Sequence, residues 1–126
     1  MDNMYNDCVN AFMEGSAKNA DKIITHIPVR GVCRDWVVRE IRLEDLQEYV
    51  GGYIEPCAPI ELKEKGIELL ANEEGLLSGL EPNENLFPFF LVGNVVAVGV
   101  DGEDFVGLSV EQRRYLNEWV KALKEC

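Results

Sequence analysis

The chain has 126 residues, 47% of them apolar, and its 23 acids against 12 bases leave a net charge of −11. That length and apolar content supply one core and exclude a disordered or collagen-like chain. The acidic excess excludes nucleic-acid binding through a basic face, which needs clustered Lys and Arg.

Met1, Met4, Tyr5, Cys8 and Phe12 recur at helical spacing and predict a short N-terminal helix. Gly15-Ser16 ends it, so residues 1–21 read as a helical extension with its linker, and residues 22–126 as a single domain. Residues 23–29 are β-rich, and Pro28 places a strand end or an edge strand there. After the Arg30-Gly31 turn, Trp36 and Val38 alternate toward Ile41 as a hairpin partner. Leu43, Leu46, Gln47 and Val50 share one helix face, which Gly51-Gly52 terminates.

Residues 53–59 return to extended chain, with Pro56 and Pro59 excluding a central strand position. Residues 60–71 suit both helix and strand; Gly66 interrupts the helical spacing, and a strand over 66–72 is favoured, closed by a turn at Glu73-Glu74-Gly75. Pro82-Asn83-Glu84-Asn85 is a loop, residues 91–100 a buried strand, and Asp101-Gly102 a hairpin signal leading into residues 105–108. Ser109 and Gln112 form a capping box for a C-terminal helix from about Ser109 to Lys124, with Leu116, Trp119, Val120 and Leu123 as its apolar stripe. Trp119 is expected to pack on the sheet. The whole reads as α+β, with a mainly antiparallel sheet, a C-terminal amphipathic helix and a short N-terminal helix.

Residues 44–84 carry eleven acids against Lys63 and Lys65 alone, so the middle of the chain holds most of the negative charge. The longest apolar runs are too short to span a bilayer, and the N-terminus lacks a basic-then-apolar signal segment. The expected compartment is the cytosol. Cys8, Cys33, Cys57 and Cys126 contain no C-x-x-C pair, which agrees with free thiols rather than a zinc or disulfide framework.

His26 is the only histidine and sits in a β-rich run, where a structural imidazole is the ordinary outcome. No serine lies in a G-x-S-x-G setting, and the glycines form neither phosphate-binding fingerprint. Asp101-Gly102-Glu103-Asp104 has hairpin spacing rather than that of a calcium loop. The expectation is therefore a non-enzymatic protein with no catalytic residues, no metal and no cofactor.

Val50-Gly51-Gly52-Tyr53-Ile54-Glu55, Asn72-Glu73-Glu74-Gly75, Gly79-Leu80-Glu81-Pro82-Asn83, Val92-Gly93-Asn94-Val95-Val96-Ala97-Val98-Gly99 and Asp104-Phe105-Val106-Gly107-Leu108-Ser109 occur in that order. This order resembles the family called domain of unknown function 3846, over about residues 22–120. Where the family usually reads Leu-Pro-Pro-Asn, this chain has Leu80-Glu81-Pro82-Asn83. The resemblance implies a small protein of phages, plasmids or Gram-positive gut bacteria, and hence an accessory factor of a mobile element.

Two functions follow as expectations. In the first, a counter-defence protein binds a host defence protein stoichiometrically through its acids, with Glu61, Glu64, Glu68, Glu73, Glu74 and Glu81 as candidates. In the alternative, Tyr53, Asn72, Asn83 and Asn94 form a pocket that sequesters a nucleotide signal, because Asn offers both donors and acceptors. A structural or housekeeping role in the element is the third reading. Tyr5, Phe12 and Met13, or Phe87, Phe89 and Phe90, leave apolar surface for a homodimer.

Overall fold

The computed structural model describes residues 22–125, so the expected helix at the N-terminus lies outside the described residues. Nine elements follow in chain order: β1 (Lys22–Ile27), β2 (Arg34–Val38), α1 (Leu43–Val50), β3 (Ile54–Pro56), α2 (Ile60–Lys63), β4 (Ile67–Asn72), β5 (Val95–Asp101), β6 (Asp104–Val106) and α3 (Val110–Leu123). A 3-10 turn at Glu84–Leu86 lies in the long connection from β4 to β5.

The sheet is antiparallel throughout, in the order β2-β1-β5-β4-β3. β5 is the hinge of the arrangement. Its first residues pair with β1 and its last with β6, while β4 runs along its other side. Gly107 makes that fork possible: a Cβ there would sit 3.0 Å from the Lys22 Cβ and 3.1 Å from the Ile23 nitrogen. The backbone slips past instead, and the Leu108 N–H donates to the Ile23 carbonyl at 2.8 Å.

Strand alternation sends successive side chains to opposite faces. Ile27, Ile67, Leu69, Ala71, Val95 and Ala97 point to one face and pack with Leu116 and Val120 of α3 and Leu62 of α2. Ile24, Leu70, Val96 and Val98 point to the other and pack with Leu46 and Val50 of α1. β4 and β5 are therefore covered on both sides, and their apolar runs are continuous for that reason. Asp35 of β2 fastens α3 to the sheet: it accepts from the Thr25 hydroxyl at 2.8 Å and lies 3.6 Å from Arg113.

The structure resolves one ambiguity of the sequence, shifts one boundary and refines one packing expectation. The ambiguous stretch at 60–71 contains both structures, a short helix over Ile60–Lys63 and then β4, separated by Gly66 at φ 74°. The strand expected from Leu91 begins only at Val95, because Gly93 takes φ 77° and Leu91 and Val92 pair back with Asn83 and Pro82. Trp119 packs against the core on the α3 face of the sheet as expected but is only half-buried, and its ring lies 5.4 Å from that of Phe89 in the connecting loop. The capping box is formed as expected: the Gln112 N–H donates to the Ser109 hydroxyl and the Gln112 side chain accepts from the Ser109 N–H.

Candidate functional site

Antiparallel pairing brings the start of β3, the end of β4, the start of β5 and the end of β1 to the same end of the sheet. Ile54 lies opposite Asn72, Leu70 opposite Val96, and Ile27 opposite Val95. Tyr53, Asn72, Asn83 and Asn94 accordingly sit at that one end, as a common site would require. The asparagine amides, however, already serve the backbone. Asn83, 2% exposed, donates to the Ile27 and Gly93 carbonyls and accepts from the Asn85 N–H. Asn94 accepts from the Val29 N–H, and Asn72 donates to the Val50 carbonyl while accepting from the Glu74 N–H. Asn83 is thus a buried pin, a correction to its reading as a ligand contact, and the Asn94 oxygen likewise ties the 81–94 loop to the end of β1.

Only Tyr53 and Asn72 of the four line a hollow, one of about 270 Å³. Gln47, Gly51, Gly52, Glu74 and Ser78 complete its wall. Local chemistry explains each position. α1 stops at Gly51, which takes φ 87° as a left-handed cap, and the Gly51 and Gly52 amides both donate to the Gln47 carbonyl. Gly52 has no room for a side chain, since a Cβ would stand 2.9 Å from the Asn72 amide nitrogen. Asn72 then opens a turn by holding the Glu74 amide at 2.8 Å. The Gly75 amide donates to the Asn72 carbonyl and the Ser78 amide to the Glu74 carbonyl.

The Gly51, Gly52, Glu74, Gly75 and Ser78 amides around the hollow are therefore engaged inside the protein. The Gln47, Glu74 and Ser78 side chains make no hydrogen bond with another described residue, and no basic described residue lines the wall. Beside them, Tyr53 is 70% exposed, Leu76 79% and Leu77 89%. Sequence reasoning missed the two leucines and Gln47. Two adjacent leucines between Glu73-Glu74-Gly75 and Ser78-Gly79 were the available signal, because a tight turn cannot bury both.

The six candidate glutamates do not form one patch. Glu61 and Glu64 are exposed around α2, which leads into the start of β4, whereas Glu73 and Glu74 follow its end. Six strand residues separate the two groups by roughly 20 Å. Glu68 is a correction: it is 7% exposed within β4, and its carboxylate accepts from the Ala58 N–H at 3.4 Å. Glu81 is engaged as well, paired with Arg30 at 2.5 Å, and Glu84 approaches the same guanidinium at 3.4 Å. Glu73 and Glu74 remain exposed without an ion-pair partner among the described residues.

His26 serves packing. Its ring stacks on Tyr49 at 3.8 Å and tilts against Trp36 at 4.9 Å, and burial lowers its pKa to about 4. The Cys57 thiol is pushed up to about 12, first by burial and then by Glu68 and Glu55. Burial also raises Cys33. Both are free thiols. Among the described residues no three His, Cys, Asp or Glu side chains converge as a metal site, and no helix is long and apolar enough to cross a membrane.

These features define a small α+β domain with an antiparallel sheet between helices and an acidic, partly apolar hollow at one end. The chain belongs to the domain of unknown function 3846 family, whose profile matches residues 24–121. Two stretches that carry the resemblance, Val50 to Glu55 and Asn72 to Gly75, meet at the hollow. No curated protein and no solved structure matches the chain.

Proposed function

We propose that the protein is a non-enzymatic binding factor of a phage or other mobile element, docking the end of its sheet on a basic surface of a host defence protein. One observation carries this reading. Tyr53, Leu76 and Leu77 expose large apolar side chains beside the carboxylates of Glu73 and Glu74, which have no ion-pair partner among the described residues. Protein interfaces combine such a small apolar centre with a charged rim, and the centre supplies most of the affinity. The acidic charge adds long-range steering toward a basic partner, which makes association fast and salt-sensitive.

Nucleotide sequestration finds less support at the same place. The asparagines that would read a base are committed to the backbone, and a net charge of −11 repels a phosphate.

The test is native mass spectrometry of the protein purified from a defence-carrying bacterial host, beside the variants Leu77→Ser and Glu73→Lys/Glu74→Lys. The expected result is a host defence protein that copurifies in fixed ratio with the wild-type chain and is lost from both variants. A retained small mass released on denaturation, or a complex indifferent to both variants, overturns the proposal.

A further inference from the structure

We propose that the hollow between the C-terminus of α1 and the turn after β4 is an anchoring site for an arginine side chain of the partner. This rests on the docking reading above and names the group that the surface grips. The Gly51, Gly52, Glu74, Gly75 and Ser78 amides are all engaged internally, as are both ends of the Asn72 side chain. What faces the hollow is then side-chain chemistry: the Glu74 carboxylate, which only accepts, and the Ser78 hydroxyl and Gln47 amide, which accept or donate. An anion there would face the Glu74 carboxylate, whereas a cation finds that carboxylate with the Gln47 and Ser78 oxygens as further acceptors.

Electrostatics agree in sign. The hollow lies at the C-terminal end of α1, the negative pole of the helix, and Glu73 stands next to Glu74 with no ion-pair partner among the described residues. Size narrows the class. About 270 Å³ lies below the roughly 300–1,000 Å³ that take drug-sized ligands, and suits one side chain better than a nucleotide. Geometry then selects guanidinium over ammonium. A planar fork can bond Glu74 bidentately while lying against the exposed Tyr53 ring, and a compact ammonium cannot do both. The glycine floor at 51–52 adds no side chain to obstruct it.

The experiment titrates the full-length 15N-labelled protein with acetyl-Gly-Arg-Gly-amide and follows the amide signals of Gly51, Gly52 and Ser78. Parallel titrations use the citrulline peptide, which keeps the shape and loses the charge, the lysine peptide, and adenosine monophosphate. Arginine is expected to shift these three signals saturably at low salt, with citrulline and lysine about tenfold weaker or worse. Glu74→Gln should weaken the arginine titration about fivefold or more. Its carboxylate makes no hydrogen bond or ion pair with another described residue, and the turn is held by its backbone amide. Glu61→Gln, at the far end of β4, should leave the titration unchanged.

Shifts of the same signals by adenosine monophosphate, equal binding of citrulline or lysine, indifference to Glu74→Gln, or no shift at millimolar arginine peptide would each overturn the assignment. The two proposals fail separately. A partner complex lost from Leu77→Ser, with no arginine binding by the hollow, removes the anchor and leaves the docking surface standing.

Discussion

The Asn72 side chain donates to the Val50 carbonyl at 3.2 Å, so the last residue of β4 closes the last turn of α1, the helix that leads into its neighbour β3. Its oxygen meanwhile holds the Glu74 amide at 2.8 Å. One side chain thus joins α1, the sheet and the turn that carries Glu74. Asn72→Ala should cost about 1–3 kcal/mol, the usual range when a partly buried carbonyl and amide lose their partner. Urea denaturation measures it, and a loss under about 0.5 kcal/mol would show that the turn holds itself.

The start of α3 should depend more on Gln112 than on its cap. Ser109→Ala removes one capping bond and should cost about 1 kcal/mol. Gln112→Ala removes the reciprocal bond and also the donors to the Lys65 and Gly66 carbonyls at 2.9 and 3.1 Å. It should therefore destabilise more than Ser109→Ala in the same denaturation experiment. The opposite order would mean that the tie between α3 and the start of β4 contributes little.

Core truncations should rank by burial rather than by side-chain size. Leu116 is 1% exposed among the residues of the α3 face, so Leu116→Ala should cost about 2–5 kcal/mol. Trp119 is half-buried against Phe89, and Trp119→Ala should cost less than that despite removing more atoms. A larger loss at Trp119, read from denaturation midpoints at equal slope, would place its ring deeper than its packing on the loop.

His26 gives the fold an acid sensitivity of known sign. Its pKa is about 4 in the folded chain against an ordinary value of 6.5, because burial disfavours the charged ring. The unfolded chain therefore binds the proton first. Stability from this group is fully present above pH 6.5 and is lost as the pH falls from 6.5 to 4. Partial exposure reduces the effect to about 1 kcal/mol. His26→Phe keeps an aromatic ring beside Tyr49 and Trp36 but cannot titrate, so its stability should fall less than wild type between pH 7 and pH 4.5. An identical fall in both would remove His26 as the cause.

Cys57 should be a slow thiol. With its pKa pushed up to about 12 by burial and by Glu68 and Glu55, little thiolate exists near pH 8. The thiol also donates to the Leu69 carbonyl at 3.4 Å. Iodoacetamide at pH 8 should label Cys57 more slowly in the folded chain than in urea, as read by peptide mass spectrometry. Equal rates would contradict the buried, protonated thiol.

Much of the architecture was legible in the sequence because it rests on local chemistry. The Ser109–Gln112 capping box, the Gly51-Gly52 helix stop and the Asp101-Gly102 hairpin each need only neighbouring residues, and each stands where the sequence places it. Residues 60–71 were ambiguous for a physical reason: one apolar run holds two short elements, and only the sheet decides where the second begins. Charge along the chain likewise identified an acidic middle segment. It could not tell that β4 would carry Glu61 and Glu64 to one end and Glu73 and Glu74 to the other, or bury Glu68 between them.

The candidate asparagines show the same division. Their types and positions in turns are sequence properties, and antiparallel pairing does bring them to one end of the sheet. Which amides stay free depends on backbone carbonyls tens of residues away, such as Ile27 for Asn83 and Val50 for Asn72. Hydrogen-bond commitment is a long-range property. Local chemistry along the chain sets the elements, the charge and the family resemblance; that Tyr53, Glu74 and Ser78 line one hollow follows from pairing across the sheet and from the turn after β4, which bring together groups no single stretch of chain holds side by side.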